Sequence, residues 1–434
     1  SEQGQKFPYW GQKMGSINDN ISVLTFSYLI VDGMLPKEAN GTPISFGNRD
    51  MIVVDEAQNL VTQTRSLHAG FKISPYSLPR SVFKGATSSA DYDANSYEDV
   101  EDIVGTIYAR CRDYPRDGVP PFEMEPAEKT CMRLADKIEW MIEEIDERGN
   151  PWVVDVDSTK YKGNYVKTLE LRPINVSTFL RNNVWNRANK RVISTATLPY
   201  RDNPRIWLRK VGLDPDNTKV ISVPMRFPEE NRPIHTSSQV CSMSSNGDEE
   251  NWGDIMKKLN ELAEDNYNKK GLVHTASYNR AQMIEDSITE DNYPYLHQNV
   301  IVHNPDRDTE VQIEEWQNSD HDIMLSPSMM EGVDLKDDMC RWQVLLKVPY
   351  PAMDSVVKHI TQNEKYGWNE YFERALIRVV QSYGRGIRSK DDFCDYYVLD
   401  EDFSDLIQRR SPPNWFQNVI DIQLPKSERS IFDY

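Results

Sequence analysis

The sequence predicts an α/β protein whose parallel sheets are flanked by helices, and three features carry that expectation. From about residue 250 onward, short apolar runs alternate with amphipathic stretches, the pattern of a parallel sheet wrapped by helices. Met51–Val54 is an apolar run that delivers two adjacent acids, Asp55 and Glu56. A long helical interval then separates this run from the next strand signal, Val192–Ile193. At 434 residues the chain exceeds one ordinary core, so more than one domain is expected.

The elements follow in chain order. Ile21–Thr25 and Met51–Val54 read as strands. Val100, Ile103, Val104, Ile107, Tyr108 and Cys111 recur at helical spacing and form one stripe. Pro126 opens a second helix with Leu134, Ile138, Met141, Ile142 and Ile145 on one face, stopped by Gly149 and Pro151. Residues 66–165 therefore read as a helical insertion between two strands of one sheet. Downstream, Trp252, Ile255, Met256, Leu259 and Leu262 mark a helix, Leu272–Val273 a strand and Ala281–Ile288 a helix. Asn299–Val302, Ile323–Leu325, Trp342–Val348 and Tyr396–Leu399 read as strands. Helices are expected at Val311–Gln317 and around Phe372, Ala375, Leu376, Val379 and Val380. The expected division is 1–65 for the start of a first lobe, 66–165 for the insertion, 166–200 for the return to that lobe, and 201–434 for a second lobe.

Composition narrows the function classes. Hydrophobic content of 38% with 27% charged residues fits a soluble globular chain, and no run approaches the length of a membrane span. The net charge of −18 argues against a surface coated in nucleic acid, but leaves room for a narrow basic track. Acidic runs such as Asp91–Asp102 and Asp248–Glu250 read as solvated loops. Five scattered cysteines without a CxxC pair give no disulfide framework, so a cytoplasmic setting is expected, prokaryotic, archaeal or viral. The first residue is Ser1, which suggests a processed product or a partial reading frame.

Four local patterns suit nucleotide chemistry. Asp55 at a strand end suits a magnesium-bound water shell, and Glu56 suits the orientation of a water attacking a γ-phosphate. The same acids also suit the cap of a following helix. Ser194-Thr195-Ala196-Thr197 places small hydroxyl residues after a strand, where they suit hydrogen-bonded coupling or an ordinary turn. In Met330-Glu331-Gly332-Val333-Asp334-Leu335, Gly332 permits close backbone approach and Asp334 accepts hydrogen bonds. Gln381-Ser382-Tyr383-Gly384-Arg385-Gly386-Ile387-Arg388 ends an amphipathic helix with two guanidinium groups three residues apart, suited to a γ-phosphate or to surface ion pairs.

Taken in this order, VVDEAQNL, STATL, EGVDL with KVPYP, and QSYGRGIRS resemble the motifs of superfamily 2 helicases of the xeroderma pigmentosum group D and DinG branch. The resemblance implies two RecA-like lobes, the first incomplete and carrying an arch-like helical insertion. It implies an ssDNA-stimulated ATPase that unwinds DNA 5′ to 3′, with ATP and Mg²⁺ as ligands. Its partners would be single-stranded DNA, or a duplex with a single-stranded tail, and repair-complex proteins. Asp55 would hold Mg²⁺ through water, Glu56 would position the attacking water, and Gln58 would couple hydrolysis to Ser194, Thr195, Ala196 and Thr197. Arg385 and Arg388, with Gln381 beside them, would reach the γ-phosphate. Gly332 and Asp334 would connect nucleotide state to DNA grip, and Thr275, Ser277 and Tyr278 would contact backbone phosphates.

The sequence departs from that pattern in three places. It contains no GxxxxGK[ST] loop, which the resemblance would place before Ser1, so the chain as given is expected not to bind ATP normally. Phe7 stands before Pro8-Tyr9 where the family carries a cluster cysteine, and phenylalanine cannot ligate iron. Gln58 replaces the more usual histidine, but can still donate and accept. The missing phosphate loop motivates an alternative function, a non-hydrolytic nucleic-acid or protein-binding module derived from a helicase.

Overall fold

The structure is a computed structural model that describes residues 8–34, 38–39, 42–43, 45–116, 123–243, 247–329, 332–410 and 412–421. Phe7, Met330 and Glu331 lie outside the described residues. The chain forms two compact units, Ser1–Val220 with Ala352–Lys365, and Ile221–Pro351 with Tyr366–Tyr434. Among the described residues no helix is long and apolar enough to cross a membrane.

The first unit contains strands β1 (Arg49–Val54), β2 (Phe71–Ile73), β3 (Trp152–Tyr161), β4 (Asn164–Pro173) and β5 (Ala188–Ile193). β1 and β5 run parallel with Val54 opposite Ile193, although well over a hundred residues separate them in the chain. The interval between holds the expected helices, Glu101–Asp113 and Pro126–Arg148. A reciprocal cap between Glu125 and Glu128 starts the second helix, and Gly149, at φ 58°, ends it.

The interval is not purely helical. β2, β4 and β3 form an antiparallel sheet in that order, with β3 and β4 joined as a hairpin at Lys162-Gly163. Both turn residues have positive φ, 48° and 87°, the backbone a two-residue hairpin turn requires. The sheet and helices bury Ile107, Cys111, Cys131, Ile138, Met141, Val154 and Leu171 in one core. Trp140 joins that core to the one beneath β1 and β5, with its ring 5.5 Å from Trp152 and 5.7 Å from Phe179.

Two other departures have identifiable causes. Ile21–Thr25 pairs with no strand among the described residues; Ile21 and Val23 are 83% and 93% exposed. Thr25 instead caps the helix Phe26–Gly33 by accepting from the Tyr28 N–H at 3.2 Å. Further along, the helix Ser355–Asn363 belongs to the first unit rather than the second. Val356 and Ile360 pack on Val153 and Ile174. Ser355 donates to Asp155 from its backbone N–H at 3.0 Å and its hydroxyl at 2.8 Å, and Arg172 pairs with both Asp155 and Asp354.

The second unit is one six-stranded parallel sheet built from β6 (Ile234–His235), β7 (Gly271–His274), β8 (Val300–Val302), β9 (Ile323–Ser326), β10 (Trp342–Leu345) and β11 (Asp395–Val398). The spatial order is β8-β9-β7-β10-β11-β6. Every residue of β7, β9 and β10 is buried, so these strands read in the sequence as mainly apolar runs rather than as alternation, with His274, Ser326 and Gln343 as buried polar exceptions. Parallel pairing also collects the loops that follow the strands at one edge of the sheet.

His274 closes β7 with no exposure. Its Nε2 lies 3.0 Å from Gln343 Oε1, an acceptor, so the ring donates from that nitrogen. Burial pushes its pKa from the ordinary 6.5 down to about 4, with the Arg385 charge adding to the shift.

Two outcomes follow from this packing. A Cβ at Gly271 would collide with the Trp342 indole, so Gly271→Ala should cost about 1–3 kcal/mol in urea unfolding; unchanged stability would contradict the packing. Because the folded-state pKa of His274 is depressed, its burial costs the fold nothing above pH 6.5, and stability is lost progressively as pH falls from 6.5 to 4, where the unfolded ring is protonated and the folded one is not. The stability advantage of wild type over His274→Gln should therefore be larger at pH 7 than at pH 4, by about 3 kcal/mol. A pH-independent difference would contradict a buried neutral ring.

Candidate functional site

In the first unit the site begins where β1 stops. Val54 is buried, and the chain turns at once so that Asp55 and Glu56 reach the surface. Glu56 sits in the left-handed region at φ 51°, a conformation that costs a residue with a side chain about 1–3 kcal/mol. The turn is held from both sides by β5: the Ser194 N–H donates to the Val54 carbonyl at 2.8 Å, and the Ala57 N–H donates to the Ser194 carbonyl at 3.1 Å.

A side-chain relay is built on that frame. Gln58 Nε2 donates to Glu56 Oε2 at 2.6 Å. Thr195 Oγ1 donates to Gln58 Oε1 at 2.5 Å, and Thr195 Oγ1 accepts from the Thr197 N–H at 3.1 Å. The Gln58 amide is buried, so both of its ends are used and its orientation is settled by the two partners. Of the predicted coupling residues, Ser194 acts through its backbone. Thr197 is buried, with a hydroxyl that has no hydrogen-bond partner among the described residues, and Ala196 is exposed.

Asp55 and Glu56 line a cavity of about 230 Å³ together with Thr25, Phe26, Ser27, Leu60 and Gln63. Thr25, Phe26 and Ser27 were missed because the preceding run reads as a strand; Thr before Phe-Ser-Tyr-Leu-Ile is the cap signal that would have placed them. Asp32 anchors the far end of this helix, pairing with Arg187 at 2.6 Å and accepting from the Phe46 N–H at 2.9 Å. Breaking such a buried pair costs about 3–5 kcal/mol, so the cavity wall is firmly held. Among the described residues no three His, Cys, Asp or Glu side chains converge as a metal site. A single exposed carboxylate on a cavity does fit Mg²⁺, which keeps most of its waters and takes one or two carboxylates.

In the second unit two predicted motifs meet. Arg385 Nη1 donates to the Val333 carbonyl at 2.8 Å and its Nε to the Gln381 carbonyl at 3.1 Å. Arg388 Nη2 reaches the same Val333 carbonyl at 3.3 Å, and its guanidinium pairs with Asp334. Gly332 has φ +79°, which turns the chain so that Val333 and Asp334 face the arginines. Gly386 lies so close to Cys394 that a Cβ would collide with the Cys394 sulfur. Gln381 is buried, and among the described residues its Oε1 has no hydrogen-bond partner. Asp392 accepts from the Arg388 N–H at 3.1 Å and pairs with Arg341 at 2.8 Å, tying the loop down.

The loops after β7, β8 and β9 form a polar cluster. Thr275 is fully buried and its hydroxyl donates to the Ser277 carbonyl at 3.1 Å, so it shapes the loop and offers no surface to a phosphate. Ser277 caps the helix Tyr278–Ser287 by accepting from the Arg280 N–H at 3.2 Å. Tyr278 reaches the surface, its hydroxyl 3.4 Å from His303 Nδ1 and 3.3 Å from Ser328 Oγ. Burial lowers the His303 pKa. His303 and Ser328 escaped the sequence reading; their position just past a strand is the signal that marks them.

Residues 261–419 match the helicase C-terminal domain family. ATP-dependent DNA helicase chl1 of Schizosaccharomyces pombe is 28% identical over 105 residues, covering 21% of this chain and 12% of the relative. ATP-dependent DNA helicase CHL1 of Saccharomyces cerevisiae is 30% identical over 108 residues, again 21% of this chain and 12% of the relative. A solved structure titled XPD helicase aligns with 83% of this chain and 66% of its own length, at 16% identity and a TM-score of 0.48. Residues 261–419 thus carry a helicase C-terminal domain, and the chain is similar to ATP-dependent DNA helicases over about a fifth of its length, spanning about an eighth of theirs.

Proposed function

We propose that this chain forms most of the motor of an ATP-dependent DNA helicase, a single-strand-stimulated ATPase with 5′ to 3′ polarity. The observation that carries the reading is the relay from Glu56 through Gln58 to Thr195, built at the end of a parallel strand and open to a cavity. Glu56 orients the water that attacks the γ-phosphate, and Asp55 holds the water shell of Mg²⁺. A carboxylate gripped by an amide at 2.6 Å is preorganised for that task, which supports the assignment. Gln58 and Thr195 pass the state of the nucleotide to the strand that follows.

Arg385 and Arg388 act as arginine fingers on the γ-phosphate, with Gln381 as a further polar contact. The Arg388–Asp334 pair is partly exposed, and pairs of that kind are worth about 0–1 kcal/mol. A phosphate can therefore compete for Arg388 at small cost, which supports a role for Gly332 and Asp334 in coupling nucleotide state to DNA grip. Tyr278, beside His303 and Ser328, supplies a contact to the nucleic-acid backbone. Single-stranded DNA, or a duplex with a single-stranded tail, is the proposed partner, and repair-complex proteins are proposed to recruit the whole protein.

The test uses the whole protein. Glu56→Gln should reduce single-strand-stimulated ATP turnover by about 100-fold or more, while affinity for single-stranded DNA measured by fluorescence anisotropy stays within about two-fold. Turnover at the wild-type rate would contradict the role given to Glu56. Stimulation by RNA in preference to DNA would contradict the substrate class.

A further inference from the structure

The turn end of the β3–β4 hairpin carries a surface that neither the acid pair nor the arginine pair uses. Ser158–Lys167 reads STKYKGNYVK, three lysines and two tyrosines with no acid, in a chain whose net charge is −18. The tight turn sets Lys160 opposite Tyr165 on one face, and Tyr161 opposite Asn164 on the other. Tyr165 is 73% exposed, far more than a ring needed for packing. Tyr76, 69% exposed, sets its ring edge-on against Tyr161 at 5.5 Å, and its hydroxyl donates to the Lys160 carbonyl. This second exposed ring is therefore held in place by the hairpin. Lys162 lies over the Tyr161 ring at 5.3 Å, and Lys167 over the Tyr92 ring at 4.7 Å. Among the described residues no carboxylate pairs with Lys160, Lys162 or Lys167, whereas nearby Lys72 is paired with Glu170 at 2.7 Å. Asp91 and Asp93 flank Tyr92, and Asp157 lies opposite Thr168, so the basic surface is confined to the turn end.

Lys160 and Lys162, without carboxylate partners among the described residues and beside exposed rings, suit a chain of phosphates with unstacked bases: the cations meet the backbone and each base offers a π-face. A duplex hides its bases from such rings, which favours single strands. We infer that this hairpin end is a second contact for single-stranded nucleic acid, with Lys160 and Lys162 on phosphates and Tyr165 and Tyr76 stacking on bases. The inference rests on the reading of the whole protein as a DNA-driven motor, and it adds a contact on the insertion.

Anisotropy of a fluorescein-labelled oligothymidylate titrated with the whole protein, across a range of salt concentrations, tests it. Lys160→Gln with Lys162→Gln should weaken binding and reduce the slope of log affinity against log salt by about 1.4, the share of two phosphates on a single strand. Tyr165→Ala should weaken binding about five-fold or more without changing that slope, and Tyr165→Phe should restore it. DNA-independent ATP turnover should stay at the wild-type rate in all three. Variants indistinguishable from wild type would overturn the hairpin contact and leave the motor reading standing. Displacement of the variants' lost binding onto polyglutamate, with oligothymidylate affinity unchanged, would also overturn it by assigning the surface to an acidic protein. Failure of wild type to bind the oligonucleotide at all would remove both readings.

Discussion

Parallel pairing of Arg49–Val54 with Ala188–Ile193 is the contact that everything chemical in the first unit depends on. It joins segments separated by the whole insertion, and its last rungs, Val54 to Ser194 and Ser194 to Ala57, bring two loops to the same strand end. Without those rungs Gln58 and Thr195 have no reason to meet. With them, one amide is held between a carboxylate and a hydroxyl, and the left-handed backbone at Glu56 becomes affordable because neighbouring hydrogen bonds oppose its relaxation. The insertion tolerates its size because it brings its own core and is joined to the lobe through Trp140.

The second unit applies the same constraint on a larger scale. Six parallel strands send their following loops to one edge, where Tyr278, His303 and Ser328 gather from three separate strands. Arg385 and Arg388 converge on one carbonyl, that of Val333, so hydrogen bonds tie the two motifs together. Gly332 and Gly386 are needed for different reasons, one for a positive φ and the other for close approach to Cys394.

Much of this was legible in the sequence, and the reason is physical. Strands buried on both faces are mainly apolar, with polar residues only where they find partners, as His274 and Gln343 do, so β7, β9 and β10 announce themselves without alternation. Acids and hydroxyl residues just past a strand, and arginines just past an amphipathic helix, then mark the loops suited to nucleotide chemistry, which is how Glu56, Thr195 and Arg388 were found. What stayed hidden depended on partners distant in the chain. The Val356 and Ile360 face shows that something covers it, but nothing local says that Val153 and Ile174 do. The β3–β4 hairpin alternates polar and apolar residues around a Lys-Gly turn, a weaker signal than Asn-Gly, and strong helices on its amino-terminal side masked it. Thr25 was read by the β-branched run before it rather than by the helix it caps.

The central claim is that Glu56, Gln58 and Thr195 act as one unit in ATP turnover, and a double-mutant cycle addresses it most directly. Single-strand-stimulated kcat of the whole protein would be compared for Gln58→Ala, Thr195→Val and the pair together. If the relay is one chain of hydrogen bonds, either change breaks it and the double variant should be no slower than the slower single one. Multiplicative losses from the two changes would mean that the residues act independently, and the account would fail at its base.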